Sequence, residues 1–177
     1  MSYIFTSDRI GFREWKDEDI ESMSSLNADP DVMRYFPGTQ TKEATLALIE
    51  RMRNQYNKNG FCYFAVDLLE TKAFMGCIGC AEQFFESPYT PCIDIGWRLH
   101  KAYWHKGLAT EGAQRCQQFM LDEHGITDIK AFAPKVNTPS INVMQKIGML
   151  YVGEFKHPAL IDYPELEVCE AYQTVMN

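Results

Sequence analysis

From Ile93 to Leu99 apolar residues stand at every second position, Ile93, Ile95, Trp97 and Leu99, with Asp94, Gly96 and Arg98 between them. A period of two makes a strand with two unlike faces. A loop follows, and from Leu108 to Glu123 the apolar residues change to helical spacing, opened by Gly107. A strand that passes through a short loop into a helix brings the helix's first, unpaired amide hydrogens next to the strand's end. The segment points to an α/β arrangement with a candidate anion-binding corner near the middle of the chain.

The flanking segments extend this pattern. Arg9–Trp15 reads as a first strand; Asp17 is placed to cap a helix carrying Ile20, Met23 and Leu26, which Asp29-Pro30 breaks. Pro37-Gly38 is a second break. Thr41 caps a longer helix with Leu46, Ile49, Met52 and Tyr56 on one face, ended at Asn59-Gly60. Strands are expected over 61–69, 73–84 and 128–133, then a helix opened by Thr138-Pro139 and closed by Gly148, then strands over 149–155 and 166–176. The order β-α-α-β-β-β-α-β-α-β-β predicts a mixed sheet with helices on both faces. The central meander is antiparallel, and the strand–helix–strand units of the second half are parallel.

A length of 177 residues fits one domain, 1–177, with 46% apolar and 23% charged residues. The net charge of −7 and the lack of a Lys/Arg block argue against nucleic-acid binding and mildly favour cationic partners such as amines. The first residues show no basic patch with an apolar run, and nothing reaches the roughly 20 apolar residues of a membrane span, so the expected location is the cytoplasm. The six cysteines lack framework spacing and are expected as reduced thiols. Cys77-Ile78-Gly79-Cys80 is a lone pair without a second pair for zinc, and no metal is expected. No GxxxxGK[ST] or GxGxxG is present, which disfavours a nucleotide-binding protein.

Chemistry concentrates in two segments. In His105-Lys106-Gly107-Leu108-Ala109-Thr110 the glycine lets backbone approach an anion, Ala109 is small, and His105 and Lys106 add donors; together they suit a pyrophosphate. In Asn137-Thr138-Pro139-Ser140 polar side chains sit at a strand's C-terminal end, where the ligand crevice of such sheets lies. Taken alone, each has a plainer reading, as an ordinary turn or a surface helix start.

Jointly, Tyr103-Trp104-His105-Lys106-Gly107-Leu108-Ala109-Thr110-Glu111, Asn137 to Ser140, Lys146-Ile147-Gly148-Met149 and the opening Arg9-Ile10-Gly11-Phe12-Arg13-Glu14-Trp15 resemble the GNAT acetyltransferases. The branch they are most similar to is that of the ribosomal-protein N-terminal acetyltransferases, and the resemblance covers nearly the whole chain. It implies a mostly antiparallel mixed sheet and acetyl-CoA as co-substrate, with a primary amine of a protein N-terminus or a small molecule as acceptor. It also implies that backbone groups of Trp97, Arg98 and Leu99 meet the pantetheine arm, that 105–110 hold the pyrophosphate, and that Asn137 and Ser140 lie near the thiol. The chain departs from the family in three places. Trp104 stands where the pyrophosphate motif begins with Gln or Arg, and His105 where this branch has Gly. Met144 replaces a Tyr that protonates the departing thiolate.

Acyl transfer to an amine needs a base for a nitrogen of pKa about 10, a donor for the carbonyl oxygen and a proton for a thiolate of thiol pKa about 8.5. Ser140 is the candidate acid, and Asp94 and Glu82 are the candidate bases. Phe132 stands where one related type carries a basic Glu. Asp94 has a structural alternative, a bond to Arg98 or to backbone. An acyl-CoA-binding module without turnover is the alternative to an enzyme. The acceptor and the oligomeric state stay open, a homodimer included.

Overall fold

The computed structural model describes residues 2–175. Its eight strands are β1 (Phe5–Thr6), β2 (Ile10–Arg13), β3 (Tyr63–Leu68), β4 (Ala73–Gln83), β5 (Cys92–Leu99), β6 (Lys130–Pro134), β7 (Leu150–Lys156) and β8 (Val168–Gln173). Five α-helices connect them: α1 (Asp19–Asn27), α2 (Pro30–Met33), α3 (Lys42–Asn59), α4 (Leu108–His124) and α5 (Thr138–Lys146). They form one sheet in the order β1-β2-β3-β4-β5-β6-β8-β7. Every expected strand and helix is present; β1 and α2 are additions too short to show a period. The far end of the expected last strand, at Met176, lies outside the described residues.

The sheet is antiparallel except where β5 meets β6, and there only Asp94 and Lys130 pair. Parallel pairing of β6 with β7 does not occur, because β8 inserts between them, antiparallel to both. An antiparallel neighbour on each side satisfies more backbone groups than the βα unit alone would suggest.

Two expected caps move by a residue or two. Asp17 does not cap α1; it pairs with Arg53 at 2.7 Å, and α1 starts at Asp19, whose carboxylate accepts the Lys16 amide at 2.8 Å. Asn137, not Thr138, caps α5, accepting the Ser140 amide at 3.2 Å. Thr41 caps α3 as expected, and Gly60 ends it with φ +78°.

Helices cover both faces. On one, α4 presses Gly112 so tightly that a Cβ there would lie 2.4 Å from Ile78. On the other, α1 brings Asp19 to Arg13, whose guanidinium also grips Asp67 of β3, all at 2.7–2.8 Å and nearly fully buried. Burial pulls the Arg13 pKa down, but the hydrogen bonds to Asp19 and Asp67 outweigh it and hold the pKa above the ordinary arginine value. Arg13→Met would strand two buried carboxylates, with an expected loss of about 3–5 kcal/mol in urea unfolding at neutral pH. Among the described residues no helix is long and apolar enough to cross a membrane.

Candidate active site

The splitting of β5 from β6 makes the crevice. The amide of His100 donates to the Met75 carbonyl at 2.9 Å, and the antiparallel register with β4 runs on from there. Alternate residues bond one neighbour, so Asp94, Gly96 and Arg98 turn their backbone groups to β4. Ile95, Trp97 and Leu99 turn theirs the other way. Beyond Asp94 no β6 residue pairs with them, so the edge at Trp97 and Leu99 is free of a strand neighbour. The Leu99 carbonyl is taken by the Trp104 indole Nε1–H at 2.8 Å. The Trp97 N–H and C=O and the Leu99 N–H remain on the open edge. Of the three residues expected to lend backbone groups to a ligand, Arg98 is therefore turned away, its peptide committed to β4.

The loop after β5 ends at the mouth of α4. His105 and Gly107 both take left-handed φ, +58° and +75°, which curls the chain before the helix. No side chain caps α4. The Glu111 amide donates to the Gly107 carbonyl at 3.0 Å, which leaves the amides of Leu108, Ala109 and Thr110 as the helix's unpaired donors. The Leu108 side chain is buried, so only its backbone faces the mouth. Beside it, Arg9 pairs with Glu111 at 2.6 Å and donates to the Lys106 carbonyl at 3.0 Å, and Lys106 lies over the Tyr103 ring. Amide donors, the helix's positive end and nearby cations are the chemistry that holds a diphosphate.

Across the crevice Asn137 caps α5 through its side-chain oxygen, leaving its Nδ2 without a described partner, and Ser140 sits half-buried in the first turn. Met144 is buried and has no proton to give.

The two candidate bases part company. Ala81 is the β4 partner of Asp94, and Glu82 the partner of Ile93, so the two carboxylates project from opposite faces. Glu82 is paired with Lys58 at 2.9 Å, and that bond first of all holds its pKa below the usual glutamate value. Asp94 has no cation within ion-pairing range among the described residues. Its Oδ1 accepts from Tyr63 Oη at 2.5 Å and from Gln83 Nε2 at 3.1 Å, while Gln83 also donates to Tyr63 Oη at 3.0 Å. Burial pushes Asp94 up to about 6, with the two hydrogen bonds opposing. Arg98 bonds Asn27 rather than Asp94. Sequence reasoning missed Tyr63 and Gln83. They lie 31 and 11 positions from Asp94, and the only available signal was that Gln83 falls on the neighbouring strand of the meander and Tyr63 on the one beyond it.

A profile for the acetyltransferase (GNAT) domain matches residues 9–150. The uncharacterized N-acetyltransferase YnaD of Bacillus subtilis is 31% identical over 152 residues, 85% of each chain. The crystal structure of a GNAT-family acetyltransferase from Bacillus anthracis superposes with a TM-score of 0.79 at 29% identity, over 96% of each chain. RimL, a ribosomal L7/L12 α-N-protein acetyltransferase solved in complex with coenzyme A, shares the fold with a TM-score of 0.78. It is 13% identical, over 99% of this chain and 98% of that one.

Proposed function

This chain belongs to the GNAT acetyltransferase family, and from that premise we propose that it transfers the acetyl group of acetyl-CoA to a primary amine. The observation that carries the reading is the free edge of β5 running into the uncapped mouth of α4. The residues fit the co-substrate: three helix amides for the diphosphate, and the Trp97 and Leu99 amides for the arm and the thioester oxygen. The proposed location is the cytoplasm, whose reducing conditions suit the free thiols.

Acetyl-CoA supplies an acyl group already activated as a thioester. Asp94, poised near 6, accepts the proton that the amine nitrogen sheds as its bond to the acyl carbon forms. Tyr63 and Gln83 hold that carboxylate in place. A β5 amide stabilises the charge on the acyl oxygen. Ser140 gives or relays a proton to the sulfur as the C–S bond breaks, in place of the tyrosine that Met144 displaces. Amide and free thiol are the products, and the site's protons balance through solvent. The acceptor is a small-molecule amine or a protein N-terminus.

Release of CoA thiol, followed with a panel of amines and peptides, tests this. Turnover on any of them supports the transferase; tight acetyl-CoA binding with no turnover supports a binding module, the reading that buried Met144 favours. Ser140→Ala is expected to lower kcat about tenfold or more while the acetyl-CoA dissociation constant changes little. Unchanged kcat removes Ser140 from the acid role.

A further inference from the structure

Arg98 stands on the same face of β5 as Asp94, four residues further on, with Gly96 between them beneath the Tyr63 ring. Four strand residues span about 13 Å. Its Nη1 donates to the Asn27 side-chain oxygen at 2.7 Å, and the guanidinium lies 4.2 Å over the Phe36 ring. Both partners are neutral. No carboxylate among the described residues lies within ion-pairing distance, and Nε is buried with no hydrogen-bond partner. Burial lowers the Arg98 pKa against the opposing pull of Cys77 and Tyr63, and the cation of Arg51 adds a smaller push the same way as burial.

A half-buried guanidinium without a counter-ion is costly, and a buried orphan donor adds to that cost. The edge made by Nε and Nη2 carries no side-chain hydrogen bond among the described residues, Nε lying out of solvent reach, and it is the edge through which arginine grips a carboxylate in two parallel bonds. α4 covers the opposite face, with its mouth assigned to the diphosphate, so an anion meeting Arg98 comes with the other substrate. We propose that Arg98 is a specificity-determining residue that binds an anionic group of the acceptor, a small amine carrying a carboxylate several bonds from its nitrogen. The inference rests on the acetyltransferase reading above. It adds to it that the amine is anchored by charge at one end of the Asp94–Arg98 face and deprotonated at the other.

The test compares ω-amino acids, from 4-aminobutanoate to 6-aminohexanoate, with their carboxamides of equal length, using the full chain and acetyl-CoA. At one or more lengths the acid is expected to exceed the amide in kcat/KM by about tenfold to a hundredfold, the difference lying in KM. In Arg98→Gln that ratio is expected to fall to about one, and in Arg98→Lys, which keeps the charge without the fork, to an intermediate value. Equal kcat/KM for acid and amide overturns the proposal, as does a preference that survives in Arg98→Gln. If no amine turns over, calorimetry on the CoA-loaded protein with the N-acetylated acids and amides decides: equal or absent binding overturns it, and selective binding of the acids, lost in Arg98→Gln, supports it. Acetyl-CoA titrated alone reports separately on the diphosphate site: absent binding counts against the acetyltransferase reading and leaves the Arg98 comparison to be judged on its own ratio.

Discussion

Asp94→Asn is expected to lower kcat by about 10²- to 10⁴-fold, the range of a positioned general base. Asparagine keeps the oxygen that accepts from Tyr63 and Gln83, so the geometry of the site survives and only the basicity goes. The wild-type pH profile carries the same information. Below about 6 Asp94 takes up a proton, and activity falls about tenfold per unit beyond the loss caused by protonation of the amine itself. In Asp94→Asn that additional fall disappears, while the amine's own dependence remains.

Stability moves the opposite way and separates a catalytic from a structural carboxylate. The folded-state pKa of Asp94 lies above its ordinary 3.8, so between about 4 and 6 the folded chain binds more protons than the unfolded one. Folding stability therefore falls as pH rises through that window. Asp94→Asn lacks the effect and is expected to melt higher than the wild type at pH 7, with the gap closing toward pH 4. A lower melting temperature at pH 7, with kcat intact, would make Asp94 a structural residue.

Gly107→Glu is expected to weaken acetyl-CoA binding at least about 100-fold, some 2.7 kcal/mol. Two effects combine. Left-handed φ at 107 costs a non-glycine residue roughly 1–2 kcal/mol, although the added Cβ meets nothing nearer than Arg9 Nη2 at 3.7 Å. A carboxylate at the α4 mouth also repels the diphosphate and competes for the same three amides. Gly107→Ala carries the strain without the charge and is expected to lose about tenfold or less. Calorimetric titration with acetyl-CoA reads both, and full affinity in Gly107→Glu would remove the diphosphate from this helix.

The parts of the fold that repeat locally were legible in the chain itself. The alternation from Ile93 to Leu99 defined β5 and its two faces; Thr41, Gly60 and Gly107 marked helix ends that the structure keeps. Such features depend on contacts within a few residues, whose energetics local composition determines. The strand pairing was legible only in part. Antiparallel neighbours in the meander followed from short turns, but the insertion of β8 between β6 and β7 did not, since no local pattern records which strand a distant segment will meet.

The same division runs through the site. A helix opening at glycine, with small and cationic residues about it, could be read directly as an anion corner. That Trp97 and Leu99 face an open edge while Arg98 faces β4 required the register, because period two assigns faces without saying where pairing stops. Nor could the chain alone rank Glu82 against Asp94, or show Arg98 on Asn27, 71 positions away. The sequence by itself determined the elements, their buried faces and the glycine-opened helix mouth that we propose for the diphosphate. Tertiary structure alone decided which carboxylate is free of a cation and which cation lacks a carboxylate, because ion pairing and burial are set by residues brought close only when the sheet is assembled.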